Sequence, residues 1–266
     1  MKDKKMEELA IKIKETVIRA GKIITEASDI VASEKGGNAT NMVTAYDVAV
    51  QNFLIEEIKK LLPDAYFVAE EKENDEKALL QEFCFIIDPI DGTANFVHGY
   101  RHSCISVAML SYGDVVFSCI HNPYLSETFY ATKGGGAFLN GNKIQVSERN
   151  MPHAIVGVGT SPYHKARLGE RTFRLCRELF LRCSDLRRSG SAALDLAYLA
   201  AGRTDIFFEA ELCPWDFAAG WLLVREAGGI ITQDDGTEVN LSRSCPIIAS
   251  NKVVYGDLLE ISKNCK

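Results

Sequence analysis

Phe85-Ile86-Ile87-Asp88-Pro89-Ile90-Asp91-Gly92-Thr93 is an apolar run that stops in two aspartates, with a proline between them and a glycine after. The β-branched and aromatic start reads as a buried strand that carries carboxylates at its end. A kinked loop of this kind presents Asp88, the Ile90 carbonyl and Asp91 on one side, a set of hard oxygens suited to Mg²⁺. Gly92 and Thr93 then leave main-chain N–H groups free for a phosphate at the start of a following helix. Taken alone, the same residues also read as a polar turn capped by Asp88, because Asp, Pro and Gly are ordinary turn residues.

Acids recur at the ends of other elements. Val68-Ala69-Glu70-Glu71 is a second strand ending in carboxylates, and Pro214-Trp215-Asp216 places an acid at the start of a helical stretch over Phe217 to Ala227. Each has a bland reading by itself: Glu70-Glu71 as solvated surface, Asp216 as an N-cap on a helix dipole. Adjacent acids repel, so several of them at element ends are best explained by a shared cation.

The surrounding pattern places these segments in a mixed α and β chain. Leu9, Ile13, Val17, Ala20 and Ile24 recur at helical spacing, so residues 1–28 read as one amphipathic helix. A Gly-containing connection, Glu34 to Asn41, precedes Thr44-x-x-Asp47, a variant capping box that opens a second helix running to Pro63. Tyr66-Phe67-Val68 and Phe83 to Ile87 read as strands, and turn signals between Ser103 and Val146 predict an antiparallel sheet of hairpins. Strands and helices alternate thereafter: Ile155 to Gly159, Ala166 to Arg182, Ser191 to Ala201, Asp205 to Phe208, Asp216 to Ala227 and Ile247-Ile248. No low-complexity linker separates the halves. We expect an N-terminal α+β sub-domain over 1–150 and a C-terminal α/β sub-domain over 151–266, with a site in the crevice between them.

Composition narrows the function classes. The 266 residues carry 30 Lys and Arg against 36 Asp and Glu, a formal charge of −6, and 47% are hydrophobic. No basic run exceeds a pair, so there is no field to hold a nucleic-acid backbone, and nucleic acid is not expected as a main partner. No stretch is apolar enough to span a membrane and the N-terminus lacks a secretory pattern, which points to a cytoplasmic protein. Eight cysteines without a C-x-x-C pair are read as reduced thiols, in line with that compartment. The five histidines lack metal-ligand spacing, and the glycines at 133–136 and 157–159 match neither a dinucleotide nor a P-loop fingerprint.

Together, Glu70-Glu71, Asp88 to Thr93 and Trp215-Asp216-Phe217-Ala218-Ala219-Gly220 resemble the inositol monophosphatase family of Mg²⁺-dependent, lithium-sensitive phosphatases, in the family's order and spacing. The resemblance extends to Val43-Thr44-x-x-Asp47, Lys133-Gly134-x-Gly136-Ala137-Phe138 and Gly190-Ser191-Ala192, and so covers nearly the whole chain. It implies a layered αβαβα sandwich, a layer count that periodicity does not supply. It also implies two Mg²⁺ ions, one held by Glu70, Asp88 and the Ile90 carbonyl, the other by Asp88, Asp91 and Asp216. Glu71 and Asp47 would stand behind these or hold a weaker third ion. Water would be activated with help from Glu70 and from Thr93, oriented by Asp47. Gly92 and Thr93 would contact the phosphate, with Gly190, Ser191, Ala192, Glu209 and Asp216 on the substrate side. Ala69, Ala94 and Gln51 depart from the usual pattern, but none is one of the implied inner ligands.

The function so implied is hydrolysis of a phosphate monoester of a small polyol or sugar, inositol monophosphate foremost, by a homodimer. Fructose 1,6-bisphosphate, 3′,5′-bisphosphonucleotide, NADP and histidinol phosphate are the alternative substrates on the same fold. A regulatory module that keeps Mg²⁺ only for structure is the reading from another class, and loss of a carboxylate would favour it. None is missing.

Overall fold

The structure, a computed structural model, describes residues 2–35 and 37–265, with only the main chain for residues 2–4. Met1 of the expected first helix and Gly36 of the expected connection lie outside them. Helix α1 (Lys2–Thr25) buries Ile13, Val17, Ala20 and Ile24 of the stripe its periodicity announces, with Ala10 buried and Leu9 half-buried at its start. The connection expected next is instead a hairpin, β1 (Ala32–Lys35) and β2 (Asn38–Thr44), paired antiparallel with an irregularity at Glu34/Lys35. Its strands are polar and half-exposed, so they lack the alternating apolar signal that reveals a strand. Thr44 then caps α2 (Ala45–Leu61) in a complete capping box with Asp47.

Seven strands follow in sequence order and lie side by side in that order: β3 (Tyr66–Ala69), β4 (Cys84–Asp91), β5 (Cys104–Ser111), β6 (Asp114–Asn122), β7 (Glu127–Thr132), β8 (Gly136–Leu139) and β9 (Asn142–Ile144). From β4 onward the pairing is antiparallel, as the turn signals predict, whereas edge strand β3 runs parallel to β4. A short helix, α3 (Thr93–Val97), leaves β4 through Gly92. The second sheet is ordered β11-β10-β12-β14-β13 from β10 (Ile155–Val158), β11 (Asp185–Arg187), β12 (Ile206–Leu212), β13 (Ile230–Thr232) and β14 (Cys245–Ser250). It is parallel on the β10 side and antiparallel about β14. Its helices are α4 (Lys165–Phe180), α5 (Ala192–Ala200), α6 (Pro214–Glu226) and α7 (Tyr255–Asn264).

The packing gives the layers. Helices α1 and α2 cover one face of the seven-stranded sheet, α5 and α6 lie between the two sheets, and α4 and α7 cover the outer face of the five-stranded sheet. This is the αβαβα sandwich. Phe217, Ala218, Leu222 and Leu223 of α6 join Leu194, Leu196 and Ala197 of α5 in one apolar cluster that also takes side chains from β4, β5, β6 and β14. The glycine-rich turn at 133–136 belongs to this packing. Glu226, at the C-terminal end of α6, accepts hydrogen bonds from the N–H groups of Gly134 at 2.7 Å and Gly136 at 2.8 Å.

The small residues after Trp215-Asp216 have the same origin. A Cβ on Gly220 would fall 2.5 Å from Leu196 Cδ1 and 2.7 Å from Leu196 Cβ, so α5 and α6 cross at a distance that only glycine permits. We expect Gly220→Val to destabilise the protein by about 2 kcal/mol through overpacking, read as a lower urea midpoint at unchanged slope. An unchanged midpoint would show that this crossing is slack.

Candidate functional site

Asp88 and Asp91 are an odd number of residues apart and would face opposite sides of a regular strand. The pairing of β4 with β5 steps from Asp88↔Ser106 to Asp91↔Cys104, three residues against two. This one-residue bulge brings both aspartates to the same face, with Pro89 inside it, where a ladder donor is dispensable. The parallel register Ala69↔Ile87 sets Glu70, the next residue along, beside Asp88. Asp216 arrives from the other side of the cleft as the third residue of α6, its Oδ2 accepting from the Cys213 N–H at 2.7 Å. The positive end of the helix dipole favours a carboxylate there.

Among the described residues, Asp88, Asp91 and Asp216 form a group able to hold a metal ion, each offering an oxygen within 4.8 Å of the others. They line a cleft of about 350 Å³ together with Glu70, Ile90, Gly92, Thr93 and Glu209. Burial, then the charges of Glu70, Asp91, Asp216 and Asp47, push the Asp88 carboxyl well above the usual range. Burial likewise raises Asp216, with Asp91 and Glu70 adding to it. Asp91 is raised by burial against the opposing pull of its donors: Ser191 Oγ at 2.5 Å and the Ala193 N–H at 2.7 Å, both on Oδ2. A dry set of oxygen donors that favours protonation for want of positive charge fits a hard divalent cation.

The remaining expected residues are placed around this group in distinct ways. Thr93 Oγ1 lies 3.1 Å from Asp47 Oδ1 and 3.0 Å from the Ile90 carbonyl. Asp47 Oδ2 is occupied by the Thr44 N–H at 2.7 Å and hydroxyl at 2.5 Å, so its other oxygen serves Thr93. Lys35, from the hairpin, donates to Glu70 Oε1 at 2.7 Å and also pairs with Glu71. Gln51 brackets the Glu71 main chain, donating to its carbonyl at 3.2 Å and accepting from its N–H at 2.9 Å. Gly190, Ser191 and Ala192 stand behind Asp91: the Ser191 hydroxyl is buried on it, and a Cβ on Gly92 would meet the Gly190 carbonyl at 3.0 Å. Glu209 faces the cleft, and burial pushes its pKa up to about 7.

Sequence reasoning missed Lys35, because the hairpin that carries it has no apolar pattern. It also missed Tyr163, which the turn after β10 brings to the cleft wall. Cys213 lines the same wall, and burial followed by the Asp216 charge pushes its thiol up to about 12. A thiol so raised is a poor nucleophile at neutral pH.

Comparison with known proteins gives the chain its relatives. The family model described as the inositol monophosphatase family matches residues 5–266. The inositol-1-monophosphatase of Rhizobium meliloti is 39% identical over 252 residues, covering 93% of each chain. The Nus factor SuhB of Escherichia coli is 39% identical over 246 residues, 91% of this chain and 90% of that one. Among solved structures, the inositol monophosphatase of Thermotoga maritima superposes with a TM-score of 0.85 at 33% identity, covering 97% of this chain and 98% of the other.

The raised carboxyls set the response to pH. Without a divalent cation, Asp88 and Asp216 bind protons more tightly folded than unfolded, so their contribution is full below the unfolded pKa of about 4 and is lost as pH rises through their folded values. We expect the metal-free protein to lose thermal stability as pH rises above about 4, and added Mg²⁺ to raise the melting temperature more at the higher pH of any pair compared. A magnesium shift independent of pH would show that these carboxyls are not the binding groups.

Proposed function

The chain belongs to the inositol monophosphatase family, and from that premise we propose that it is a Mg²⁺-dependent phosphatase acting on a phosphate monoester of a small polyol or sugar, inositol monophosphate foremost. One observation carries the reading: the carboxylate oxygens of buried Asp88 and Asp91 and of half-buried Asp216 converge from two sides of one cleft. Carboxylates so placed repel a phosphate dianion unless cations reverse the local potential.

Glu70, Asp88 and the Ile90 carbonyl would hold one ion, and Asp88, Asp91 and Asp216 a second, with Glu71 and Asp47 near a weaker third. Bound Mg²⁺ supplies Lewis-acid polarisation of the phosphoryl group, a more acidic water and charge compensation for the leaving oxygen. The chain's own groups do the rest. Thr93, whose hydroxyl donates to Asp47 Oδ1, can take a proton from an attacking water while its own proton passes to the Asp47 carboxylate. Glu70, whose proton affinity is raised by burial against the pull of Lys35, is a second acceptor for that proton. Gly92, in the left-handed region at φ 89°, swings the main chain so that the first turn of α3 offers N–H groups without intrahelical partners to the phosphate. Ser191 acts on the substrate through Asp91, whose Oδ2 its hydroxyl immobilises together with the Ala193 N–H, with Gly190 and Ala192 on either side of it, while Glu209 and Asp216 face the alcohol.

The setting is inferred more coarsely. All eight cysteines are free, which supports a reducing, cytoplasmic compartment, and among the described residues no helix is long and apolar enough to cross a membrane. A homodimer rests on the family resemblance. The Thermotoga maritima relative named fructose-1,6-bisphosphatase/inositol-1-monophosphatase, 39% identical over 228 residues, keeps the bisphosphate as the second substrate to try. The name Nus factor carried by the Escherichia coli relative supports a second reading, a regulatory role through a partner. The complete carboxylate set favours turnover over that role alone.

Phosphate release from the purified protein tests the proposal, with Mg²⁺, EDTA or added Li⁺, across inositol 1-phosphate, fructose 1,6-bisphosphate, 3′,5′-bisphosphonucleotide and NADP. We expect Mg²⁺-dependent, lithium-suppressed turnover, greatest with inositol 1-phosphate. Asp91→Asn removes one charge at nearly constant volume and should lower kcat by more than about a hundredfold with the fold intact. Full activity in EDTA, or in the Asp91→Asn protein, would contradict the proposal.

A further inference from the structure

The turn after β10 is more constrained than a connection requires. Only glycine passes at 159, where a Cβ would fall 2.0 Å from Glu209 Oε2. Ser161 then takes φ 41°, in the left-handed region that side chains rarely adopt. Its N–H donates to Glu209 Oε1 at 2.7 Å. Its hydroxyl accepts from the Glu211 N–H at 3.1 Å and lies 3.2 Å from the Glu211 carbonyl. Across the cleft mouth, the Thr40 hydroxyl of β2 lies 3.3 Å from the Pro162 carbonyl. Backbone strain held by this many contacts is found where a side chain has to be aimed.

The side chain so aimed is Tyr163. It is 47% exposed yet lines the cleft with Asp88, Asp91 and Asp216. Among the described residues its hydroxyl makes no hydrogen bond. Burial and the charges of Glu70, Asp216, Asp88 and Asp91 raise its pKa, so at neutral pH it is an uncharged donor. A phosphate drawn to the cation-binding floor leaves its alcohol half toward the mouth. There Glu209 accepts hydrogen bonds, and a polyol needs donors as well.

We propose that Tyr163 is a specificity-determining residue for the alcohol half of the substrate, its ring covering the carbon skeleton and its hydroxyl donating to one substrate hydroxyl. The inference rests on the phosphatase reading and deepens it by naming a polyol over a hydroxyl-free alcohol. A site that hydrogen-bonds a substrate hydroxyl discriminates against esters lacking it.

Steady-state kinetics of the wild-type and Tyr163→Phe enzymes on inositol 1-phosphate and on p-nitrophenyl phosphate, whose leaving group carries no further hydroxyl, separate the possibilities. Loss of one neutral hydrogen bond should raise KM for inositol 1-phosphate about fivefold, with little change in kcat and an unchanged KM for p-nitrophenyl phosphate. An unchanged KM for inositol 1-phosphate, or an equal rise for both esters, overturns the inference while leaving the phosphatase reading in place. A wild-type enzyme inactive on both esters overturns this inference, and the phosphatase reading falls with it when the other three substrates of the panel above are silent too.

Discussion

Three carboxylates whose oxygens approach within 4.8 Å of one another on a cleft floor repel, when ionised, by about 3 kcal/mol per pair at an effective dielectric constant of about 20. The fold has to hold them there against that repulsion, and each is fixed by its own device. A bulge in β4 turns Asp88 and Asp91 to one face, the Ser191 hydroxyl and Ala193 N–H pin Asp91, and the capping box at the head of α6 pins Asp216. Lys35 places one positive charge at the rim, on Glu70 and Glu71, and none on the three aspartates.

One of these devices belongs to the seven-stranded sheet and the other two to the central helical layer packed on it, so that sheet and layer must act as one body. Ser191 caps α5 and Asp216 sits in the first turn of α6, so any shift of these helices against β4 moves the carboxylates relative to one another. Their crossing at Gly220 and the clasp of Glu226 on the 134–136 turn resist such a shift. A site requiring placement to within a fraction of an ångström is thereby built on packed elements, with only its mouth formed by a hairpin and a turn.

Much of this was legible in the residues, for local reasons. The capping box at Thr44 and Asp47, the stripe of α1 and the acids ending β3 and β4 are signals that a few neighbouring residues carry. The polar hairpin that delivers Lys35, the three-residue strands β11 and β13 and helix α7 were not, because distant pairing or packing creates them. The site divides in the same way. Its acidic donor set announces itself by residue type, and the family resemblance supplied which acids share an ion. The bond from Ser191 to Asp91 joins residues 100 apart in sequence, and the aim of Tyr163 depends on Glu209 and Glu211, so neither leaves a local trace.

Anomalous scattering from crystals soaked in Mn²⁺, a stand-in for Mg²⁺ with the same preference for oxygen donors, tests the central claim most directly. Manganese peaks should appear bounded by Asp88, Asp91 and Asp216. They should disappear from Asp88→Asn crystals of the same form. Manganese bound elsewhere, or a cluster that stays protonated and empty at saturating metal near pH 8, would contradict it.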